Sequence, residues 1–382
     1  MKKYDTFIPV CEPYLNGNEL NYVNDCLNTG WISSSGIYIK KFEDSFAEYC
    51  GSKYAVCVSN GTVALHLALL AIGIKKGDEV IIPNFTMIAS AFAVCYIGAI
   101  PVFVDADKDT WNINVDLIEE KITTRTRAIM PVSIFGQPCD MDKINLLASK
   151  YNLLVIEDAA ESHGAEFKGI KTGNLADITT FSFFANKNLT TGEGGMIVTN
   201  NENFYNNCLY YKNLCFPLKG PRNYIHEDIG YNYRMSNLHA AIGLAQVEKA
   251  DFYRDQRIFV NRLYKKYLGH TPGIKFQQTL TSCLNVYWMN AILIDPKIFG
   301  MERDNLIEVL KSYNIDTRLL FVGMNTQPAL IKYGCDVSSL YPITENLTKN
   351  GLYLPSGSSL TEKQIKYISE VIINANIIIN ES

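Results

Sequence analysis

The sequence predicts an α/β protein: a large, mostly parallel sheet with helices on both faces over residues 1–250, then a smaller α+β domain over 251–382. Three observations carry this. At 382 residues the chain is long for one hydrophobic core, so a large lobe with a small one is the expected division. Short apolar runs alternate with helical patterns from Tyr54 onward, as strand–helix units do in a parallel sheet. Two of those runs, Pro101–Val104 and Leu153–Ile156, lead into acids, Asp105 and Glu157-Asp158. Ligand crevices of open α/β sheets lie at such carboxyl ends.

The elements follow in order. Residues 16–29 and Phe42–Tyr49 predict helices, the second with apolar positions three and four apart. Tyr54–Val58 is a strand that turns through Ser59-Asn60-Gly61-Thr62 into a helix over Val63–Ile72. Gly61 and Thr62 read in two ways. They are a simple helix start capped by Ser59 or Thr62, or an anion site, because the first N–H groups of a helix lack partners and its dipole favours negative charge. Val80–Pro83 is the next strand, and Asn84–Ser90 opens the following helix. Pro101–Asp105 and Ala128–Val132 are strands, with a helix over Val115–Lys121 between them. Asp105 and Asp140 read as strand-end and helix-cap carboxylates without chemistry. Asn206–Tyr211 is helical, a long helix runs from about Asn237 to Tyr267, Asn285–Ile294 is a strand and Arg303–Tyr313 a helix.

Hydrophobic residues at 47% and charged residues at 19% are ordinary for a globular enzyme. The net charge of −4, without a basic run, argues against nucleic acid, and an anionic substrate has to be met by a local positive cluster. Lys219 and Arg222, in the irregular segment 212–228, are the candidate cluster; a solvated loop is the competing reading. Ten cysteines without a CxxC pair or a His-Cys cluster at zinc spacing point to reduced thiols rather than disulfides, and no metal site is expected. The start, Met-Lys-Lys-Tyr-Asp, leads into no apolar segment, and no stretch is long enough to span a bilayer, so a cytoplasmic protein is expected.

The chemistry centres on residues 176–200, ADITTFSFFANKNLTTGEGGMIVTN, which read as strand, tight loop with Lys187, glycine turn, strand. A lysine held between apolar strands loses part of its hydration, which lowers its pKa and makes its amine a nucleophile or Schiff-base partner. A solvated loop lysine is the alternative. What tips the reading is Asp158, 29 residues earlier, at the end of a buried parallel strand. A pyridoxal phosphate enzyme needs both parts: a lysine for the aldehyde carbon and a carboxylate that keeps the pyridine nitrogen protonated. With both in place, the phosphate reading of Gly61 and Thr62 is the preferred one.

VIEDAAESHGA followed by TTFSFFANKNLTTGEGGMIVTN closely resembles the DegT/DnrJ/EryC1/StrS family of sugar aminotransferases. The likeness extends to FIPVCEPYLNG, WISSSGIYIKKFEDSFAEYCG, SNGTVALHLALLAIG, GYNYRMSNLHAAIGLAQ and GLYLPSG, so it covers nearly the whole chain. It implies the aspartate aminotransferase fold (fold type I of pyridoxal phosphate transferases). Among subfamilies the chain is most similar to the perosamine-synthase type, which aminates a nucleotide-linked 4-keto-6-deoxyhexose. The resemblance implies L-glutamate as amino donor, with pyridoxamine phosphate as the cofactor's other form. It further implies that Glu161 approaches the cofactor, that the Ser182 hydroxyl binds its phosphate, and that Trp31 lies near the site. Asn232 is expected to cross a homodimer interface to the partner's phosphate. His163 reads as structural. Met87 stands where relatives carry a ring-stacking aromatic, and a thioether can take that place, with Phe85 as the alternative. After Asp316-Thr317-Arg318 the chain reads Leu-Leu-Phe-Val-Gly-Met-Asn, so Asn325 replaces the usual histidine. That stretch resembles the 3-dehydratase branch, in which histidine replaces the catalytic lysine; here Lys187 is intact. Arg318 and Asn325 are therefore candidate substrate residues, and a small phosphorylated ketone such as dihydroxyacetone phosphate is the runner-up acceptor. A dehydratase or a non-catalytic regulator ranks lower.

Overall fold

The computed structural model describes residues 3–220 and 224–375. Two amphipathic helices, α1 (Glu19–Thr29) and α2 (Ile37–Cys50), precede the sheet, and each stops at a glycine in the left-handed region. Strand β1 (Tyr54–Val58) feeds α3 (Gly61–Ala71), and β2 (Glu79–Pro83) feeds α4 (Ala89–Tyr96). Next come β3 (Ile100–Val104), β4 (Thr126–Ile129), α5 (Met141–Tyr151) and β5 (Leu154–Asp158). A short hairpin, β6 (Glu166–Phe167) and β7 (Ile170–Lys171), precedes β8 (Ile178–Ser182) and β9 (Gly195–Thr199), the strands that flank Lys187.

Seven of these strands form one sheet in the order β1-β9-β8-β5-β4-β2-β3. The neighbours from β8 through β5, β4 and β2 to β3 are parallel. Only β9 opposes both of its neighbours, because the lysine loop folds the chain straight back on β8. The parallel strands are buried along almost their whole length, as a sheet covered on both faces requires. One face packs on α3 and α4, the other on α2 and α7 (Asn237–Val247). The α/β architecture with a mostly parallel sheet is thus the one expected from the alternation.

Helix α6 (Glu202–Lys212) and α7 lead to α8 (Ala250–Leu268) and then to β10 (Ile274–Phe276), β11 (Cys283–Leu284) and β12 (Asn290–Ile294). After α9 (Pro296–Phe299) and α10 (Arg303–Ser312) come β13 (Arg318–Leu319), α11 (Pro328–Tyr333), α12 (Pro342–Asn350), β14 (Gly351–Leu354) and α13 (Glu362–Ile373). Strands β10, β12, β14 and β13 make a second, antiparallel sheet, packed on α8, α10 and α13 around a core that includes Ile8.

Three elements differ from expectation, each through side-chain bonds to the backbone or to a distant segment. The helix expected over Val115–Lys121 is two 3-10 turns, because Asn114 caps Asp116 and Thr126 binds Thr123 N, local bonds that compete with an α-helix. The long helix breaks between α7 and α8: Glu248 accepts from Asn18 and Tyr22, and the Lys249 ammonium binds Asn16 O at 2.5 Å. The strand expected from Asn285 starts only at Asn290, since the Asn285 side chain accepts from Tyr287 N at 2.8 Å and Tyr287 takes a positive φ of 48°.

Candidate active site

The carboxyl ends of β1, β2, β5 and β8 bring together Asn60–Thr62, Asn84–Ser90, Asp158–Glu161 and Ser182, with the Lys187 loop leading away from β8. The start of α3 is capped by Asn60, whose side chain accepts from Val63 N at 3.0 Å, not by Ser59 or Thr62 as expected. Asparagine is as good a cap as serine, and Thr62 is left without that duty. Gly61 and Ser182 nearly touch: a Cβ at Gly61 would lie 2.7 Å from Ser182 Cβ. Gly195 likewise admits Asn60, since a Cβ there would sit 2.3 Å from Asn60 O. The glycines therefore let the helix start, the Ser182 hydroxyl and β9 meet at one point.

Asp158 is 4% exposed at the end of β5. Its Oδ2 accepts from Ser90 Oγ at 2.8 Å and its Oδ1 from Ala160 N at 3.2 Å. Burial pushes its carboxyl up, while the Ser90 and Ala160 donors and the charge of Lys187 pull it back. Glu161 is also buried and accepts from Phe135 N at 2.7 Å. Its carboxyl is pushed up to about 7, chiefly by burial, against the pull of Lys187.

Lys187 lies over the ring of Trp288, with Nζ 3.6 Å from the ring centroid. Burial holds its pKa below the ordinary lysine value, and Glu161 and Asp158 act against that. The result is an amine released toward its neutral form, facing two buried carboxyls whose own protons are loosened by the same lysine. Such a set can hold a carbonyl carbon at the amine and pass protons at one face. Behind it, Asn186 O accepts from Trp288 Nε1 at 2.9 Å.

The remaining predicted residues lie farther out. Met87 is 49% exposed, two residues before Ala89, whose N–H it accepts at 3.0 Å through Sδ. Phe85 is no alternative for stacking on a ligand: it is fully buried, edge-on against Phe135 and Phe321. Asn232 is exposed, and its backbone bridges to Asn213. Trp31 is 59% exposed, and Lys219 is on the surface. Arg222 lies outside the described residues. Arg318 is exposed and bonded to Asp316 and to Thr317 O. Asn325 is tied to Asn84: its Oδ1 accepts from Asn84 Nδ2 at 2.8 Å, and its backbone N–H donates to Asn84 Oδ1 at 2.9 Å. His163 is buried among Phe46, Phe181 and Phe183, and burial drops its pKa to about 3, so it is no base at neutral pH.

Sequence reading missed Ser90 and Trp288. Ser90 looked like any residue of a helix start. Trp288 stood inside an apparent strand, where an aromatic reads as core.

Among the described residues no helix is long and apolar enough to cross a membrane. The DegT/DnrJ/EryC1/StrS aminotransferase family model matches residues 13–373. The chain is 47% identical to the GDP-perosamine synthase of Escherichia coli O157:H7, over 96% of this chain and 98% of that one. Among solved structures, DesV of S. venezuelae superposes with a TM-score of 0.90 at 30% identity, covering 97% of this chain and 98% of that one. A GDP-4-keto-6-deoxymannose-3-dehydratase variant with bound GDP-perosamine also superposes with a TM-score of 0.90, at 27% identity, over 96% and 100% of the two chains. A family match across nearly the whole chain, on a sheet that sets a desolvated lysine beside a buried aspartate, makes this chain a member of the DegT/DnrJ/EryC1/StrS aminotransferase family, a pyridoxal phosphate-dependent transaminase.

Proposed function

We propose that this transaminase moves the amino group of L-glutamate to a nucleotide-linked 4-keto-6-deoxyhexose, in the manner of a perosamine synthase, for surface polysaccharide. The observation that carries the acceptor is the 47% identity to GDP-perosamine synthase over 96% of the chain. The intact Lys187 separates the chain from the dehydratase reading.

The residues fit pyridoxal phosphate. Asp158 is a buried carboxylate whose hydrogen-bond donors among the described residues are a hydroxyl and an amide, so a protonated ring nitrogen would supply the cation it lacks. The start of α3 at Gly61 and Thr62, touching Ser182, suits a phosphate dianion. When bound, the cofactor supplies the electron sink for exchange of an amino group between donor and ketone. Lys187 Nζ would hold the aldehyde carbon and, when released, its amine would move a proton at the substrate carbon. Asp158 keeps the ring nitrogen protonated. Glu161, with its carboxyl pushed up to about 7, would hold or give a proton near Lys187. Met87 would pack on the cofactor ring, and Asn232 of a second copy would complete the phosphate site, making the working unit a homodimer. Trp31, Lys219, Arg222 and Arg318 are the candidate contacts for the nucleotide sugar. Asn325, whose Oδ1 is held by Asn84, is a further candidate contact through its Nδ2.

The test loads the enzyme with amino groups from L-glutamate, removes the donor and offers ketones singly while the yellow colour is recorded. Return of colour with GDP-4-keto-6-deoxymannose, and not with UDP- or dTDP-linked ketosugars, is the expected result. Return with dihydroxyacetone phosphate alone overturns the substrate class and keeps the reaction.

A further inference from the structure

Arg257, on α8, is 2% exposed, and among the described residues its acceptors are carbonyls and a thiol. Nη1 donates to Trp288 O at 3.0 Å and to Ser356 O at 2.5 Å. Nη2 donates to Cys11 Sγ at 3.2 Å and to Asn186 O at 3.4 Å. Among the described residues it forms no ion pair. A buried guanidinium without a carboxylate is costly, and a fold that needed only packing here would place an apolar side chain instead. What the charge does reach is the peptide of the reactive lysine. Asn186 O, the carbonyl oxygen of the peptide bond to Lys187, collects donors from three separate parts of the chain: the Arg257 fork, the Trp288 indole and the Cys11 thiol. Trp288 is at the same time the ring beneath Lys187 Nζ.

We propose that Arg257 is a positioning residue for Lys187: its fork fixes the Asn186 peptide and the Trp288 platform together, and its unpaired positive charge stands behind the lysine amine. The fork orients Nζ, and the charge opposes protonation there, since a like charge nearby disfavours the ammonium form. The other groups facing Lys187 are Asp158 at the end of β5, Glu161 and His163 in the turn beyond it, and Cys11 from the amino-terminal segment. The two acids favour the ammonium, and Arg257 is the cation that works against them. The inference rests on Lys187 being the reactive amine and not on any acceptor, so the test uses no ketone.

Full-length protein freed of cofactor is treated with fluorodinitrobenzene across the pH range, and labelling of Lys187 is followed by peptide mass. In Arg257→Gln, which keeps a donor for Asn186 O and loses the charge, the labelling midpoint is expected to rise by about one pH unit. Arg257→Lys keeps the charge and loses the fork. Its midpoint is expected to stay at the wild-type value, while capture of added pyridoxal phosphate slows about tenfold. A folded Arg257→Gln protein with the wild-type midpoint overturns the proposal. If that variant does not fold, Arg257→Lys decides: capture at the wild-type rate overturns the proposal, and slowed capture with an unchanged melting temperature supports it.

Discussion

Replacing Asp158 by asparagine removes one charge from the site and little else. The amide oxygen can still accept from Ala160 N, and its NH₂ can donate to Ser90 Oγ, a hydroxyl that accepts as well as it donates. The side chain is buried, so the lost charge is poorly replaced by water. A carboxylate about 3 Å from a protonated ring nitrogen gains about 5 kcal/mol at an effective dielectric of about 20. Asparagine keeps a neutral hydrogen bond, and the charged form also sheds part of its desolvation cost. The net loss is about 3 kcal/mol, a rate loss of roughly a hundredfold. Stopped-flow recording of the colour change on mixing the loaded variant with L-glutamate reads that rate directly. A companion measurement of cofactor affinity separates weaker binding from slower chemistry. A rate within threefold of wild type at full cofactor occupancy would falsify the assignment of Asp158.

Four further outcomes follow from the same geometry. Lys187→Ala is expected to abolish turnover with L-glutamate and the yellow bound form, measured by absorbance after dialysis, while melting stays near that of the cofactor-free protein. Gly61→Ala forces a Cβ to 2.7 Å from Ser182 Cβ, so cofactor affinity measured by titration should fall at least tenfold with the secondary structure intact. Glu157, buried and bonded to Gly173 N and Thr179, has its carboxyl pushed up to about 7 from 4.5, mainly by burial. The folded state then holds the extra proton between those values, so stability from this group is full below the unfolded pKa and is lost as pH rises through the folded one. Relative to wild type, Glu157→Gln should therefore gain about 3 kcal/mol in urea unfolding between pH 4 and pH 8; a difference that does not change with pH counts against it. Asn232→Ala mixed with Lys187→Ala should regain activity through one rebuilt site per mixed dimer if Asn232 serves the partner, and none if each chain is self-sufficient.

The parts of the site that were legible from the residues themselves sit at the end of a short strand or between two. Asp158 closes the apolar run Leu154–Ile156, and Lys187 lies in the loop between two short strands, whereas Ser182 was marked by the family resemblance. The residues that hold Lys187 in place have no such signal. Ser90, Trp288 and Arg257 reach the site across 68, 102 and 71 residues of chain from the groups they bond, and nothing local marks them. Arg257 reads on α8 like the exposed Arg262 one turn on, and only the inward turn of the helix tells the two apart. Asn325 is held by a partner that no local pattern marks: its Oδ1 and its backbone N–H bond Asn84, buried and 241 residues away. Phe85 was misread, since an aromatic beside a crevice is as often the floor beneath it as the lid. A last group could not have been settled by one chain at any level. Trp31, Met87 and Asn232 are exposed side chains that the resemblance places around the cofactor. Half-exposed apolar groups at a crevice leave water on surface that a ligand or a second copy would cover, at about 25 cal/mol for each Å². A second copy that finished the site would cover them, and the mixed-dimer experiment reads whether one does.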